Sequence, residues 1–125
     1  MNSAVCIVDD DASVRKSLAN LLRSAGVATL LFASGEELLA SDLAPMAGCV
    51  LLDLKMPGLS GLEVQREMAR LGWRLPVICM SAHWDGLAVE ASMRNGALAC
   101  LGKPFSEEVL LRVVEEALAA KTRER

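Results

Sequence analysis

The feature that most constrains the fold of this chain is a fivefold alternation of short apolar runs with longer amphipathic segments. The runs, such as "VCIV" and "CVLLD", are nearly continuous, which is typical of strands buried on both faces of a parallel sheet. The predicted strands span 4–8, 27–32, 48–53, 76–81 and 97–102, and the predicted helices span 12–26, 34–44, 60–72, 85–96 and 106–121. This order predicts an α/β fold, a (βα)5 domain with a doubly wound parallel five-stranded sheet.

Polar residues at the starts of the predicted helices agree with this assignment. A serine precedes each of the second and third helices, and a glutamate follows three residues later, from Ser34 to Glu37 and from Ser60 to Glu63. This is the spacing of a capping box, in which the two side chains satisfy each other's backbone amides. Asp85 is the predicted cap of the fourth helix.

The composition is that of one aliphatic globular domain. The 125 residues are 53% hydrophobic but only 3% aromatic, so the core must be built from Leu, Val, Ala and Met. A chain of this length buries enough surface to fold without a disulfide or a structural metal. The predicted domain spans 1–121, and 122–125 are a tail or the start of a linker.

Charge, hydropathy and cysteine usage exclude several classes of protein. The net charge is −3 without a basic stripe, so direct nucleic-acid binding is not expected. No apolar run approaches the ~20 residues that span a bilayer, and the N-terminus lacks the pattern of a signal peptide. The cysteines form no C-x-x-C pair and lie in apolar runs, as expected of buried, reduced side chains in the cytoplasm. They are Cys6, Cys49, Cys79 and Cys100.

Chemically active side chains follow four of the five predicted strands. They are Asp9, Asp10, Asp11, Asp53, Ser81 and Lys103. The carboxyl ends of parallel strands meet at one edge of the sheet, where α/β proteins place their sites. The loop after the first strand holds three acids and no glycine, so it would repel a bare anion and attract a hard cation. Clustered carboxylates suit Mg²⁺, and Asp11 is the predicted cap of the following helix.

Four separated motifs resemble the receiver domain of two-component response regulators along the whole chain. They are "IVDDD", "LLDLKMPGLSGLE", "MSAH" and "GKPF", in the order and at the strand ends that this family shows. The stretches "VDDDASVRKSL" and "DLKMPGLSGLE" are most similar to the FixJ/NarL-like branch. The resemblance implies a flavodoxin-like sheet with the strand order 2-1-3-4-5.

The resemblance also implies a role for each residue of the strand-end cluster. Asp53 is then the phosphoryl acceptor, and Asp10, Asp53 and the backbone carbonyl of Lys55 bind Mg²⁺, with Asp9 acting through water. Lys103 pairs with the phosphoryl group and precedes a cis proline, and Ser81 contacts a phosphoryl oxygen. A carboxylate can attack phosphorus in line, so the residue types suit this chemistry. The family relation implies a regulatory domain rather than an enzyme, with only self-phosphotransfer and slow autodephosphorylation.

The sequence departs from the family at Cys100, where an aromatic residue usually reports the state of the site. A smaller change at the fourth helix and fifth strand is one alternative, and replacement by Trp84 or Phe105 is another. His83, the one histidine, either tunes hydrolysis or has no role. Zinc binding is not expected there, because no second ligand lies at a suitable spacing.

Three functions are compatible with these residues. A switch phosphorylated by a sensor histidine kinase would act on an output domain or target, in transcriptional control, through the face of helix 4, strand 5 and helix 5. A phosphatase resembling the haloacid dehalogenase group would need a second acid after Asp53, but Leu54 and Lys55 follow. An interaction module with a decayed site would not need the intact cluster. The output face is expected to form a phosphorylation-dependent homodimer, with a monomer as the alternative; its predicted residues are Val89, Met93, Ala97, Cys100 and Leu101.

Overall fold

The computed structural model describes residues 4–82 and 86–123. Its strands are β1 (Val5–Val8), β2 (Thr29–Phe32), β3 (Cys49–Asp53), β4 (Val77–Ser81) and β5 (Ala99–Gly102). Its α-helices are α1 (Ala12–Ser24), α2 (Gly35–Leu39), α3 (Gly61–Arg70), α4 (Gly86–Arg94) and α5 (Glu107–Arg123). All strand pairs are parallel and the order is β2-β1-β3-β4-β5, which confirms the predicted fold.

The sheet separates two aliphatic cores, because successive side chains of a strand point to opposite faces. On β1, Val5 and Ile7 pack with the helices α1 and α5, whereas Cys6 and Val8 pack on the side of α2 and α3. The strands β1, β3 and β4 are buried along their whole length. Their continuous apolar sequences therefore reflect burial on both faces.

The two predicted capping boxes have different outcomes. Ser60 and Glu63 form the complete reciprocal pair at the start of α3. At the start of α2, Ser34 accepts the amide of Glu37, as predicted. The carboxylate of Glu37, however, accepts the amide of Ala33 at 2.9 Å, so the second half of this box is made one residue earlier than predicted.

The second helix is shorter than the predicted span 34–44. It ends at Leu39, and a 3-10 turn follows at Ala44–Met46. The hydroxyl of Ser41 accepts the amides of Leu43 and Ala44, which offers the backbone an alternative to the helix. Pro45 then supplies no amide for a continued helix. Within the described residues, no helix has the length and hydropathy needed to cross a membrane.

Candidate functional site

The predicted site residues lie at the carboxyl edge of the sheet, where β1, β3, β4 and β5 are consecutive neighbours. The chain leaves β1 toward β2 on one side, while β3 pairs on the other side, so the strand order reverses at β1. A crevice opens at such a reversal, between the loops that follow the two central strands. The topology therefore brings the loops after β1 and β3 to one place.

Asp9, Asp10 and Asp53 form one carboxylate cluster. One oxygen from each side chain lies within 4.8 Å of the others. Asp9 is 1% exposed and Asp53 is 6% exposed, whereas Asp10 is exposed to solvent. Three oxygen donors of negative charge, two of them buried, are a donor set that fits a hard divalent cation such as Mg²⁺. The open side at Asp10 leaves room for the waters that Mg²⁺ keeps.

Lys103 balances part of this negative charge. Its Nζ lies 2.7 Å from Oδ2 of Asp9 and 3.6 Å from Oδ2 of Asp53. The backbone amide of Lys103 donates to the carbonyl of Ser81 at 2.7 Å, and the bond to Pro104 is cis, as predicted. Burial alone would lower the pKa of the lysine, but the hydrogen bond to Asp9 and the charge of Asp53 raise it above its ordinary value. Lys103 is therefore a permanent cation of the site.

The acceptor candidate Asp53 is harder to ionise than an ordinary aspartate. Burial is the largest cause of its raised pKa, and the charges of Asp9 and Asp10 raise it further. Lys103 and the backbone amide of Lys55, which donates to Oδ1 at 3.3 Å, oppose this shift without cancelling it. A bound cation would lower the pKa of Asp53 in the same direction as Lys103 and the Lys55 amide, and would favour the ionised carboxylate.

The loop after β1 is held by three hydrogen bonds that fix the direction of the acids. Asp11 caps α1, as predicted, by accepting the amide of Ser13 at 2.8 Å. The amide of Asp11 donates to Oδ1 of Asp9 at 2.9 Å. Arg15 donates from Nη1 to the carbonyl oxygen of Asp9 at 2.6 Å. Arg15 was not predicted as part of the site; its one available signal in the sequence is a cation in the first turns of a helix that follows three acids.

The loop after β3 is held against α2 and α3 through two glycines, which were also missed. A Cβ on Gly61 would lie 2.6 Å from the backbone oxygen of Asp53. A Cβ on Gly58, whose φ is +77°, would lie 2.6 Å from Oε2 of Glu36. The same oxygen accepts the amide of Leu59 at 3.3 Å. The start of α3 therefore packs directly on the backbone of the candidate acceptor.

Ser81 ends β4 beside this cluster. It is 4% exposed, and its strand neighbour in β5 is Gly102, the residue before Lys103. The preceding residue Met80 pairs with Asp53 in the sheet register. The structure therefore places Ser81 one residue beyond the level of Asp53, at the same edge of the sheet.

Several predicted residues lie outside the described part of the chain or on the other face of the sheet. His83, Trp84 and Asp85 belong to the segment that the structure leaves undescribed. Phe105 packs with the α1 and α5 core, on the opposite face of the sheet from Cys100, so it lies on the wrong side to take its place.

Two of the residues predicted for the output face do not lie on its α4 side. Ala97 is 7% exposed and belongs to the core beneath α4, because the turn after that helix carries it inward. Leu101 follows Cys100 in β5 and therefore faces the α5 side instead. Val89 is half-buried and Met93 is exposed, so these two remain available on α4.

Comparison with known proteins gives a consistent relationship. Residues 5–115 match the family described as response regulator receiver domain. Nodulation protein W of Bradyrhizobium diazoefficiens is 41% identical over 121 residues, which cover 97% of this chain and 52% of that protein. Transcriptional regulatory protein FixJ of Azorhizobium caulinodans is 41% identical over 115 residues, covering 91% and 54%.

The solved structures agree with the sequence relatives. The structure described as FixJ-N superposes with a TM-score of 0.87 at 36% identity, covering 95% of both chains. The present chain spans about half the length of the curated relatives it matches, and nearly all of FixJ-N. The similarity to the curated relatives therefore concerns one part of longer proteins.

Proposed function

The chain belongs to the response regulator receiver domain family of phosphoacceptor signalling switches, and from this premise we propose that Asp53 accepts a phosphoryl group from a sensor histidine kinase. The observation that carries the proposal is the position of Asp53, buried between two other carboxylates and the ammonium of Lys103. A strand-end acid that only capped a loop would need neither the neighbouring acids nor the half-buried cation.

The transfer requires one oxygen of Asp53 to attack phosphorus while the bond from phosphorus to the donor nitrogen breaks. The carboxylate must be ionised, which its burial opposes and Lys103 favours. Asp10, Asp53 and the carbonyl of Lys55 would hold Mg²⁺, with Asp9 contributing through water. When bound, this ion supplies charge neutralisation for the transferring oxygens. The protein residues supply the position of the nucleophile and a fixed ammonium at its side.

Lys103 and Ser81 would then respond to the new group. Nζ of Lys103 is closer to Asp9 than to Asp53, so a phosphoryl group of about two negative charges on Asp53 would draw the ammonium toward it. The amide of Lys103 is bonded to the carbonyl of Ser81, so the two residues are mechanically linked. We expect the hydroxyl of Ser81 to contact a phosphoryl oxygen.

Incubation with Mg²⁺ and acetyl phosphate tests this function against its alternatives. Intact mass should show one phosphoryl group per chain, and Asp53→Asn should show none. Continuous release of inorganic phosphate over many turnovers would indicate a phosphatase instead. Absence of labelling at a site that binds Mg²⁺ would indicate an interaction module without phosphotransfer.

A serine substitution separates phosphorylation from its consequence. Ser81→Ala should be phosphorylated at Asp53 but should show a weaker structural response, because the hydroxyl is a ligand of the product and not the nucleophile. Ser24→Ala is a matched control, since it also removes a serine hydroxyl, one that donates to the carbonyl of Leu21 on the exposed side of α1. A Ser81→Ala protein that cannot be labelled would give Ser81 an earlier role.

The output is proposed to be control of transcription, because one similar protein is named a transcriptional regulatory protein and this chain matches about half of it. We also propose a location in the cytoplasm, the compartment in which histidine kinases obtain the phosphoryl group that they transfer. The buried thiols agree with a reducing compartment.

A second copy of the chain is the proposed partner of the outer face of α4 and β5. Leu87 and Met93 are exposed on α4, Leu98 is exposed just before β5, and β5 is an edge strand. Glu90 and Arg94 are both exposed and lie 4.0 Å apart as an ion pair within α4, and across a two-fold axis each would meet the opposite charge of the second copy. Sedimentation before and after phosphorylation should show a dimer that forms or strengthens, and Met93→Glu should abolish it. A monomer in both states would exclude this surface.

A further inference from the structure

Helix α4 packs on the body of the protein with few apolar side chains, among them the half-buried Ala88, and with one buried polar residue. Of its nine residues, all within the described part of the chain, only Ser92 is buried. By comparison, α1 buries Leu18, Ala19 and Leu22. A helix with so little apolar burial gains little hydrophobic stabilisation, so its position depends more strongly on specific hydrogen bonds.

Ser92 makes these bonds with both its side chain and its backbone. Its hydroxyl donates to Sγ of Cys79 on β4 at 2.7 Å. Its carbonyl accepts the side-chain amide of Gln65 on α3 at 3.1 Å and the backbone amide of Ala97 at 3.1 Å. The bond to Ala97 belongs to the Schellman end of the helix, at Gly96 with φ +98°. One residue therefore ties α4 to a strand, to a neighbouring helix and to its own C-terminal turn.

Gln65 shows that this connection has an energetic cost. The side chain is 4% exposed, and its Oε1 has no hydrogen-bond partner among the described residues. An unsatisfied buried acceptor is destabilising, and a methionine of similar shape would avoid the penalty. The amide that Gln65 provides to Ser92 is the contact that a methionine could not make. A polar group retained at such a cost is consistent with a role in setting one particular position of α4.

The strand partner of Ser92 leads directly to the phosphoryl-binding edge. Cys79 and Ser81 are two residues apart on β4, so their side chains project to the same face of the sheet. Cys79 also pairs in register with Cys100 on β5, the position where the family usually has an aromatic residue. A shift of Ser81 toward a phosphoryl group would therefore act on the strand at the point where α4 is attached.

We propose that Ser92 is a positioning residue that couples Ser81 to the outer face of α4 through its hydrogen bonds to Cys79 and Gln65. In the resting protein these bonds hold α4 against β4 and α3. When Ser81 moves, the short contact between Ser92 and Cys79 is altered and α4 shifts relative to the sheet. This gives a chain with Cys100 a route to its output face that needs no aromatic residue. The second half of this proposal rests on the proposed function of Asp53 and Ser81.

Hydrogen–deuterium exchange of the full chain tests both halves, with beryllofluoride and Mg²⁺ as the phosphoryl mimic. In the resting protein, Ser92→Ala should speed exchange in residues 86–94 roughly five-fold, the effect of one lost hydrogen bond, without a comparable change in α1. Addition of beryllofluoride should change exchange in this helix in the unsubstituted protein. In Ser92→Ala the additional change should be less than half as large. Gln65→Met should act in the same direction.

Two controls separate positioning from general stability and from failure of the proposed function. Ser24→Ala should leave exchange in residues 86–94 unchanged in both states. A uniform increase of exchange in all helices of Ser92→Ala, or an unchanged α4, would overturn the proposal. If the unsubstituted protein fails to bind beryllofluoride at Asp53, the proposed function fails, whereas the resting-state comparison still decides whether Ser92 anchors α4.

Discussion

Lys103, which follows the fifth strand, is hydrogen-bonded at 2.7 Å to the buried carboxylate of Asp9, which follows the first. The other oxygen of Asp9 accepts the amide of Asp11 at 2.9 Å, so both oxygens are already engaged. Asp10 is exposed by comparison. The two adjacent acids of the motif "DDD" therefore have different tasks: one holds the lysine and the loop, and the other is available to a cation.

This division predicts different effects of the two acids on Mg²⁺ affinity. Asp10→Asn should weaken Mg²⁺ binding on the order of ten-fold or more, because Asp10 is the carboxylate proposed to bind the ion directly. Asp9→Asn should weaken Mg²⁺ binding less, because Asp9 is proposed to act through water and is bonded to Lys103. Calorimetric titration measures both constants, and Asp42→Asn, a change of an exposed acid in another loop, is the matched control. Equal affinity in the Asp10→Asn protein would place the ion elsewhere.

Removal of the charge of Asp53 should stabilise the resting protein at neutral pH. Its raised pKa means that the folded state binds the proton more tightly than the unfolded chain, so ionisation of Asp53 lowers the free energy of unfolding. Asp53→Asn removes this penalty, while Lys103 keeps Asp9 as its partner. We expect a melting temperature a few degrees higher at pH 7 without Mg²⁺.

The gain in stability from Asp53→Asn should depend on pH. The advantage of Asp53→Asn should be fully present above the folded-state pKa and should disappear as pH falls through the ordinary range for aspartate. Thermal unfolding between pH 7 and pH 3 measures this difference, with Asp42→Asn as the comparison. A less stable Asp53→Asn protein at pH 7 would contradict the raised pKa.

The sequence predicts the sheet and the site much better than the connections that hold them. Continuous apolar runs and the strand-end acids are local patterns. The strand order implied by the family is confirmed, and Asp9, Asp10 and Asp53 lie together at the sheet edge, while their roles stay predictions. The early end of α2 depends on Ser41 and Pro45, a local turn that the apolar period conceals.

Long-range contacts between polar residues could not be predicted. Gln65 and Ser92 are 27 residues apart, and each appears in the sequence as an ordinary helix residue. Ala97 was expected on the surface because helical spacing continues past Met93, but the Schellman turn at the end of α4 redirects the chain. Such contacts depend on how the elements pack, which a single sequence does not encode in any short pattern.

Gly61 should be indispensable for the geometry of the acceptor. A Cβ there would lie 2.6 Å from the backbone oxygen of Asp53 and 2.8 Å from Cα of Leu54, and backbone atoms cannot move aside cheaply. Gly61→Ala should lower the free energy of unfolding by about 1–3 kcal/mol and should slow phosphorylation by acetyl phosphate. Gly72→Ala is the matched control at the other end of α3, where φ is +78° and a Cβ meets nothing within 4 Å.

Gly72→Ala should also lower the free energy of unfolding by about 1 kcal/mol, because alanine is strained at positive φ. Its rate of phosphorylation should nevertheless equal that of the unsubstituted protein. Denaturant unfolding and the labelling rate together separate the two effects. An unchanged rate in Gly61→Ala would show that the start of α3 does not position Asp53.

The four thiols should differ in reactivity according to their burial. Burial raises the pKa of Cys6, Cys49 and Cys79 to about 12, which leaves roughly a thousand-fold less thiolate at pH 8 than an ordinary cysteine would have. Cys100 is half-buried, so its raised pKa is accompanied by partial access to solvent.

Iodoacetamide at pH 8 should therefore modify the native protein slowly and first at Cys100, and should modify all four cysteines in denaturant. Intact mass and peptide mapping follow the reaction, and Cys100→Ser should leave the native protein unmodified over the same period. Alkylation of Cys79 before Cys100 would mean that α4 opens away from β4 more readily than the bond between Ser92 and Cys79 allows.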